Sequence, residues 1–141
     1  MASPEEERPA PVVIAASLLL LQGIWGLLVA IRLVRAAQIF GADDAESTAL
    51  LLAALTAVVS ILSIGSGVGL LRLRPRALAS GIIVTIAHFL LLEIGDRVVS
   101  GGFGGRIDLP TISSFLFTTS IVTLLLLSRR SYKAIATSSA R

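Results

Sequence analysis

The chain has no cysteine among its 141 residues. That excludes disulfides, thiolate metal sites, a cysteine nucleophile and CxxC redox chemistry. The thiol–disulfide enzymes built on four membrane helices are excluded with them. Charge is scarce, at 15% of residues where a soluble domain carries about 25%. Lys133 is the only lysine, and there is one His, one Trp, one Tyr and one Met. A single histidine leaves any haem without a second axial His unless a partner chain supplies it, so no cofactor is expected. Arginine-dominated basicity with abundant Ala and Leu points to a GC-rich bacterial source.

Long uncharged runs fill the space that charge leaves. Val12–Ile31, Ser47–Leu71, Ala77–Leu92 and Leu109–Ser128 contain no Asp, Glu, Lys or Arg. A helix needs about 20 mostly apolar residues to cross the ~30 Å hydrocarbon core of a bilayer. Three runs reach that length, and the third does so by continuing through Glu93 to Arg97. The runs do not alternate as barrel strands do. The fold class expected is therefore all-α: a polytopic membrane protein, an antiparallel bundle of four transmembrane helices. One membrane domain covers 1–141, with spans at about 12–34, 45–71, 77–98 and 109–129. The segments 1–10 and 130–141 are expected as short tails. An acidic start (Glu5, Glu6, Glu7) and a long first run argue for a retained helix rather than a secretory signal.

Sidedness follows from the arginines. Four spans put both termini and the second connection on one side, with eight basic and three acidic residues; the other side has four basic and six acidic. The positive-inside rule then places both termini in the cytoplasm of a bacterial inner membrane. The pI near 10.6 reflects this bias, not a nucleic-acid surface. Pro9 and Pro11 suit a helix start. Asp43 and Glu46 have capping-box spacing for the second helix. Pro75 in Arg72-Leu73-Arg74-Pro75-Arg76 forces a tight turn into the third. The run 100–105 reads as a flexible outer loop, with Asp108 and Pro110 opening helix four and Tyr132 at interface depth.

The candidate site residues are few. His88 falls near the bilayer midplane, about 16 Å from the inner boundary at 1.5 Å per residue. Gln22 comes to a similar depth, and a Gln22–His88 contact is the pairing to look for. Glu93 and Arg97 are spaced i, i+4 in the favourable order. With Arg32 and Asp96 they form a candidate polar cluster near the outer boundary, whose plain reading is snorkelling and ion pairing. Thr56, Ser60, Thr85, Thr118 and Thr119 complete a mid-depth polar layer suited to interhelical hydrogen bonds. Gly65 and Gly69 form a GxxxG helix-packing pair, beside Ser63/Gly67, Gly23/Gly26 and Ala77/Gly81. Arg72, Arg74, Arg76, Arg129 and Arg130 face lipid headgroups as topology signals.

Catalytic motifs fail one by one. Gly65-Ser66-Gly67 lacks the GxSG of membrane serine proteases, and Gly95-Asp96 lacks the GxGD of membrane aspartyl proteases. The 101–105 glycines lack the Lys of a P-loop. Arg32-Leu33-Val34-Arg35-Ala36 is followed by neither the Asn nor the Glu of the RxxRA membrane enzymes. Small multidrug exporters use a buried Glu in helix one, where this chain has Gln22. The segment Gly69-Leu70-Leu71-Arg72-Leu73-Arg74 resembles the end of helix two in small, uncharacterised bacterial four-span membrane proteins. That resemblance implies a compact inner-membrane bundle. The expectation is a non-catalytic protein: an accessory, scaffold or assembly subunit whose partners are the bilayer, other membrane subunits or a second copy. The alternative is a small oligomeric transporter or channel using the polar layer and Glu93.

Overall fold

The computed structural model describes residues 9–40, 43–99 and 109–138, and the regular elements among them are four helices. They are α1 (Ala10–Phe40), α2 (Asp43–Leu71), α3 (Pro75–Val99) and α4 (Leu109–Ser138). Each contains a stretch long and apolar enough to cross a membrane: Ala10–Gln38, Glu46–Leu71, Arg76–Gly95 and Ile112–Arg129. The outward faces carry large apolar side chains. Ile24, Ile31, Val58, Ile61, Ile83 and Leu116 are each more than half exposed. Four candidate spans make this a multi-pass architecture.

The helix starts follow their sequence signals. Pro9 O accepts Val12 N at 2.9 Å and Val13 N at 3.3 Å, and Pro11 sits in the first turn, where its missing N–H costs nothing. α2 begins at Asp43, the first residue of the Asp43/Glu46 pair. Two helices run well past the ends expected from the sequence. α1 passes Arg32 and Arg35 to reach Phe40, and α4 passes Arg129 to reach Ser138. Charge does not end a helix: Arg, Ala and Lys are good helix formers, and no Gly or Pro interrupts either extension. The glycine-rich run 100–108 lies outside the described residues.

The α2–α3 connection is as tight as Pro75 requires. Leu73 N donates to Leu70 O (2.9 Å) and Arg74 N to Gly69 O (3.0 Å), the paired bonds of a Schellman cap. Leu73 occupies the left-handed position of that cap at φ 54°, which glycine usually takes. Its side chain packs against the apolar core, which helps offset the roughly 1–2 kcal/mol steric cost.

The helices contact in the order α1–α2–α3–α4, with α4 returning to α1. Among the described residues α2 and α4 do not meet, and α1 and α3 touch only narrowly. The α1–α2 seam is the most extensive. A Cβ on Gly23 would stand 2.7 Å from Ser60 O and 3.2 Å from Ile64 N, and one on Gly67 would stand 3.0 Å from Ala16 O. Glycine is required where backbones approach this closely. Ser63 Oγ donates across the seam to Leu19 O at 2.9 Å. Ser66 and Ser80 hydroxyls join α2 to α3 at 3.0 Å. We expect Ser63→Ala to cost about 0.6 kcal/mol, read as a small shift in the midpoint of an SDS titration.

The expected Gly65/Gly69 pair does not act as one packing motif. Gly69 backs onto Ala77, whose Cβ would lie 2.8 Å from an added Cβ, but a Cβ on Gly65 would meet nothing within 4 Å. The two are about 400° apart on the helical wheel, a 40° offset that here turns Gly65 outward. The apolar core sits at one end of the molecule. Val12, Ala15, Ala16 and Leu19 of α1 meet Leu70 of α2, Ala77 and Leu78 of α3, and Ile121 and Leu125 of α4. Gly81 lets Leu19 and Leu125 close over α3 there, at 3.2 and 3.4 Å from where its Cβ would be.

Candidate functional site

Away from the core end, α1, α3 and α4 diverge around a cavity of about 420 Å³. Small-molecule sites commonly span about 300–1,000 Å³. α1 supplies Leu21, Gln22 and Trp25; α3 supplies His88, Phe89 and Leu92; α4 supplies Ser113, Ser114, Phe117 and Thr118. The spacings are helical: Gln22 and Trp25 are i, i+3, while His88/Leu92 and Ser114/Thr118 are i, i+4, so each set shares a face.

The floor is polar and the rim apolar. Gln22 is 5% exposed and His88 3%, whereas Leu21 and Trp25 are each 57% exposed and Phe117 38%. The exposed lining belongs to α1 and α4, so the mouth opens along the α1–α4 seam. His88 is seated from behind by Gly26, where a Cβ would collide with both the imidazole Cε1 and Ser60 Oγ. Phe89 meets Phe115 of α4 edge-to-face at 6.2 Å and 65°, a favoured aromatic geometry that fixes its ring.

Three atoms of these two side chains have no hydrogen-bond partner among the described residues: Gln22 Oε1, His88 Nδ1 and His88 Nε2. Gln22 and His88, the pairing to look for, both line this cavity, but they do not hydrogen-bond each other. The other buried polar groups behave differently. Ser60 Oγ donates to Thr56 O (2.6 Å) and Thr85 Oγ1 to Gly81 O (2.8 Å). Thr119 is exposed and donates to Phe115 O at 2.8 Å. These hydroxyls are absorbed by their own helices, whereas Gln22 and His88 are not.

A buried polar atom left unpaired costs about 1–3 kcal/mol, and native proteins carry few. Gln22→Leu and His88→Leu replace such groups with apolar side chains of similar size. Each is expected to stabilise ligand-stripped protein by about 1–3 kcal/mol, measured as a raised midpoint of SDS unfolding. Destabilisation by a similar amount would mean that these groups hold the helices together.

Two members of the candidate outer cluster lie off this cavity. Arg32 is exposed on α1 and Glu93 half-buried on α3, and neither lines it. Asp96 and Arg97 continue α3, but their side chains lie outside the described ones. Arg72, Arg74, Arg76 and Arg129 are exposed at the core end, and Arg130's side chain is not among those described. Sequence reading missed Trp25, Phe89, Phe117, Ser113 and Ser114. Ser114 and Thr118 repeat at i, i+4, but α4 carries Thr111, Ser113, Thr119, Ser120 and Thr123 as well, so the repeat did not single them out. Comparison of the chain with protein-family models, curated proteins and solved structures finds no match.

Proposed function

We propose that this is a non-catalytic, multi-pass protein of the bacterial cytoplasmic membrane that binds a small molecule between α1, α3 and α4. In this reading the helices form an antiparallel bundle in the bilayer with both termini in the cytoplasm, and the cavity lies in the outer half. One observation carries it: two buried side chains from different helices, Gln22 and His88, line one cavity, and three of their hydrogen-bonding atoms have no partner among the described residues. The cytoplasmic placement draws on the arginines at the core end, and a reporter fused after Arg141 is expected to behave as cytoplasmic, fluorescing as a GFP fusion and inactive as an alkaline phosphatase fusion.

The test is purification in mild detergent followed by extraction and mass spectrometry. A small molecule near one equivalent in the wild-type protein, and depleted from His88→Leu, is the expected result. Recovery of a stoichiometric second polypeptide with no small molecule would replace it with the accessory or scaffold reading. That second reading has its own support in α4, of whose most apolar stretch only 17% is buried, against 39% for α1. Transport has less support. Val12, Leu19, Leu70, Ile121 and Leu125 are almost wholly buried at the core end, leaving the cavity a blind pocket among the described residues.

A further inference from the structure

The cavity also carries information about what would fill it. Among the described residues no Asp, Glu, Lys or Arg lines it. A charged ligand would have to give up its hydration without a resident counter-ion, and burying an unpaired charge in apolar surroundings is far more costly than burying a hydrogen-bonded neutral group. The polar floor asks for both kinds of hydrogen bond. A neutral imidazole donates from one nitrogen and accepts at the other, and Gln22 Oε1 accepts. A ligand head that pairs with these two side chains must carry oxygen or nitrogen groups able to donate and accept.

The walls select the body of that ligand. Trp25, Phe89 and Phe117 come from three different helices onto one space, and Phe89 is held by its contact with Phe115. Aromatic faces favour flat rings in offset or edge-on arrangements. The mouth lies between Leu21 and Trp25 of α1 and Phe117 of α4, on the same outward surface as the exposed apolar side chains of the candidate spans. A molecule leaving it meets the surroundings of the helices from the side.

We propose that the cavity binds a neutral amphiphile with an oxygen-bearing aromatic or quinonoid ring, its oxygens at Gln22 and His88 and its apolar tail leaving between α1 and α4. The inference rests on the small-molecule reading above and narrows it to one chemical class. The ring sits between Trp25, Phe89 and Phe117, and Ser114 and Thr118 offer further hydroxyls beside it.

Trp25 is the chain's only tryptophan, and it lines the mouth, so it reports on the site directly. The experiment uses the full chain in neutral-lipid nanodiscs, first stripped of co-purifying molecules. Trp25 fluorescence is followed during titration with three probes: a decyl-substituted benzoquinone, a decyl-substituted phenol, and dodecanoate as a charged chain without a ring. Saturable quenching by the quinone is expected, with the phenol displacing it competitively and dodecanoate failing to. His88→Leu and Gln22→Leu should each weaken the apparent affinity at least tenfold. Ser114→Ala, a small change on α4, should weaken it severalfold and guards against any misfolding of the floor variants. Linear quenching unchanged in all three variants would reduce the signal to partitioning and overturn the proposal. Saturable binding of dodecanoate that excludes the quinone would overturn the ligand class while leaving small-molecule binding intact. A co-purified molecule with no ring would do the same.

Discussion

Gly23→Leu is expected to prevent α1 from docking on α2 and to remove the cooperative unfolding transition. An added Cβ at Gly23 already falls 2.7 Å from Ser60 O and 3.2 Å from Ile64 N, both backbone atoms that no rotamer change can move aside. The helices would have to separate along the seam that holds Ser63 Oγ on Leu19 O. Overpacking a well-fitted contact typically costs about 1–3 kcal/mol, and a backbone collision that forces two helices apart belongs at or above the top of that range. The control is built into the same molecule. Gly65→Leu places a side chain where a Cβ meets nothing within 4 Å, so it should change stability by no more than about 0.5–1 kcal/mol, in the favourable direction on helix propensity. SDS titrations monitored by circular dichroism separate the two. Equal effects at Gly23 and Gly65 would mean that the α1–α2 seam is not the one described.

Val58→Arg probes the medium around the helices. Val58 is 55% exposed near the centre of the Glu46–Leu71 stretch. In a bilayer an arginine at the centre of a helix costs about 2.5–3.5 kcal/mol by insertion measurements. At 1.4 kcal/mol per power of ten, that is about a hundredfold in the insertion equilibrium of α2. A glycosylation reporter in microsomes reads the inserted fraction. In water the same substitution at an outward site would be nearly neutral and would improve solubility. An unchanged, soluble Val58→Arg protein would therefore remove the membrane reading and the sidedness with it.

The four helices were legible because length and lack of charge suffice to mark a candidate span, and because Pro9, Pro11, Asp43 and Pro75 punctuate the chain. The facing of each helix was much less legible. A helix that is apolar all round has no polar stripe to tell inside from outside. On α2, Gly65 and Gly69 look alike in sequence, and only the packing shows one against Ala77 and the other facing out. Small residues carried the orientation signal: Gly23, Gly26, Ser63 and Gly67 all lie on the α1–α2 seam. Polar residues too costly to leave in hydrocarbon carried the rest, which is why Gln22 and His88 stood out before the helices were placed. The aromatic walls could not, because Trp25, Phe89 and Phe117 are ordinary members of apolar runs until the helices are placed.

The thin attachment of α4 bears on how the molecule comes into being. Among the described residues α4 is the last of the four helices in chain order, it does not meet α2, and its most apolar stretch is the least covered of the four. A translocon releasing the segments in order would deliver α1, α2 and α3 as a trio with Gln22 and His88 already positioned and one flank open. Arrival of α4 would then shut that flank with Phe117, Ser114 and Thr118, and a guest already in the pocket would favour its docking.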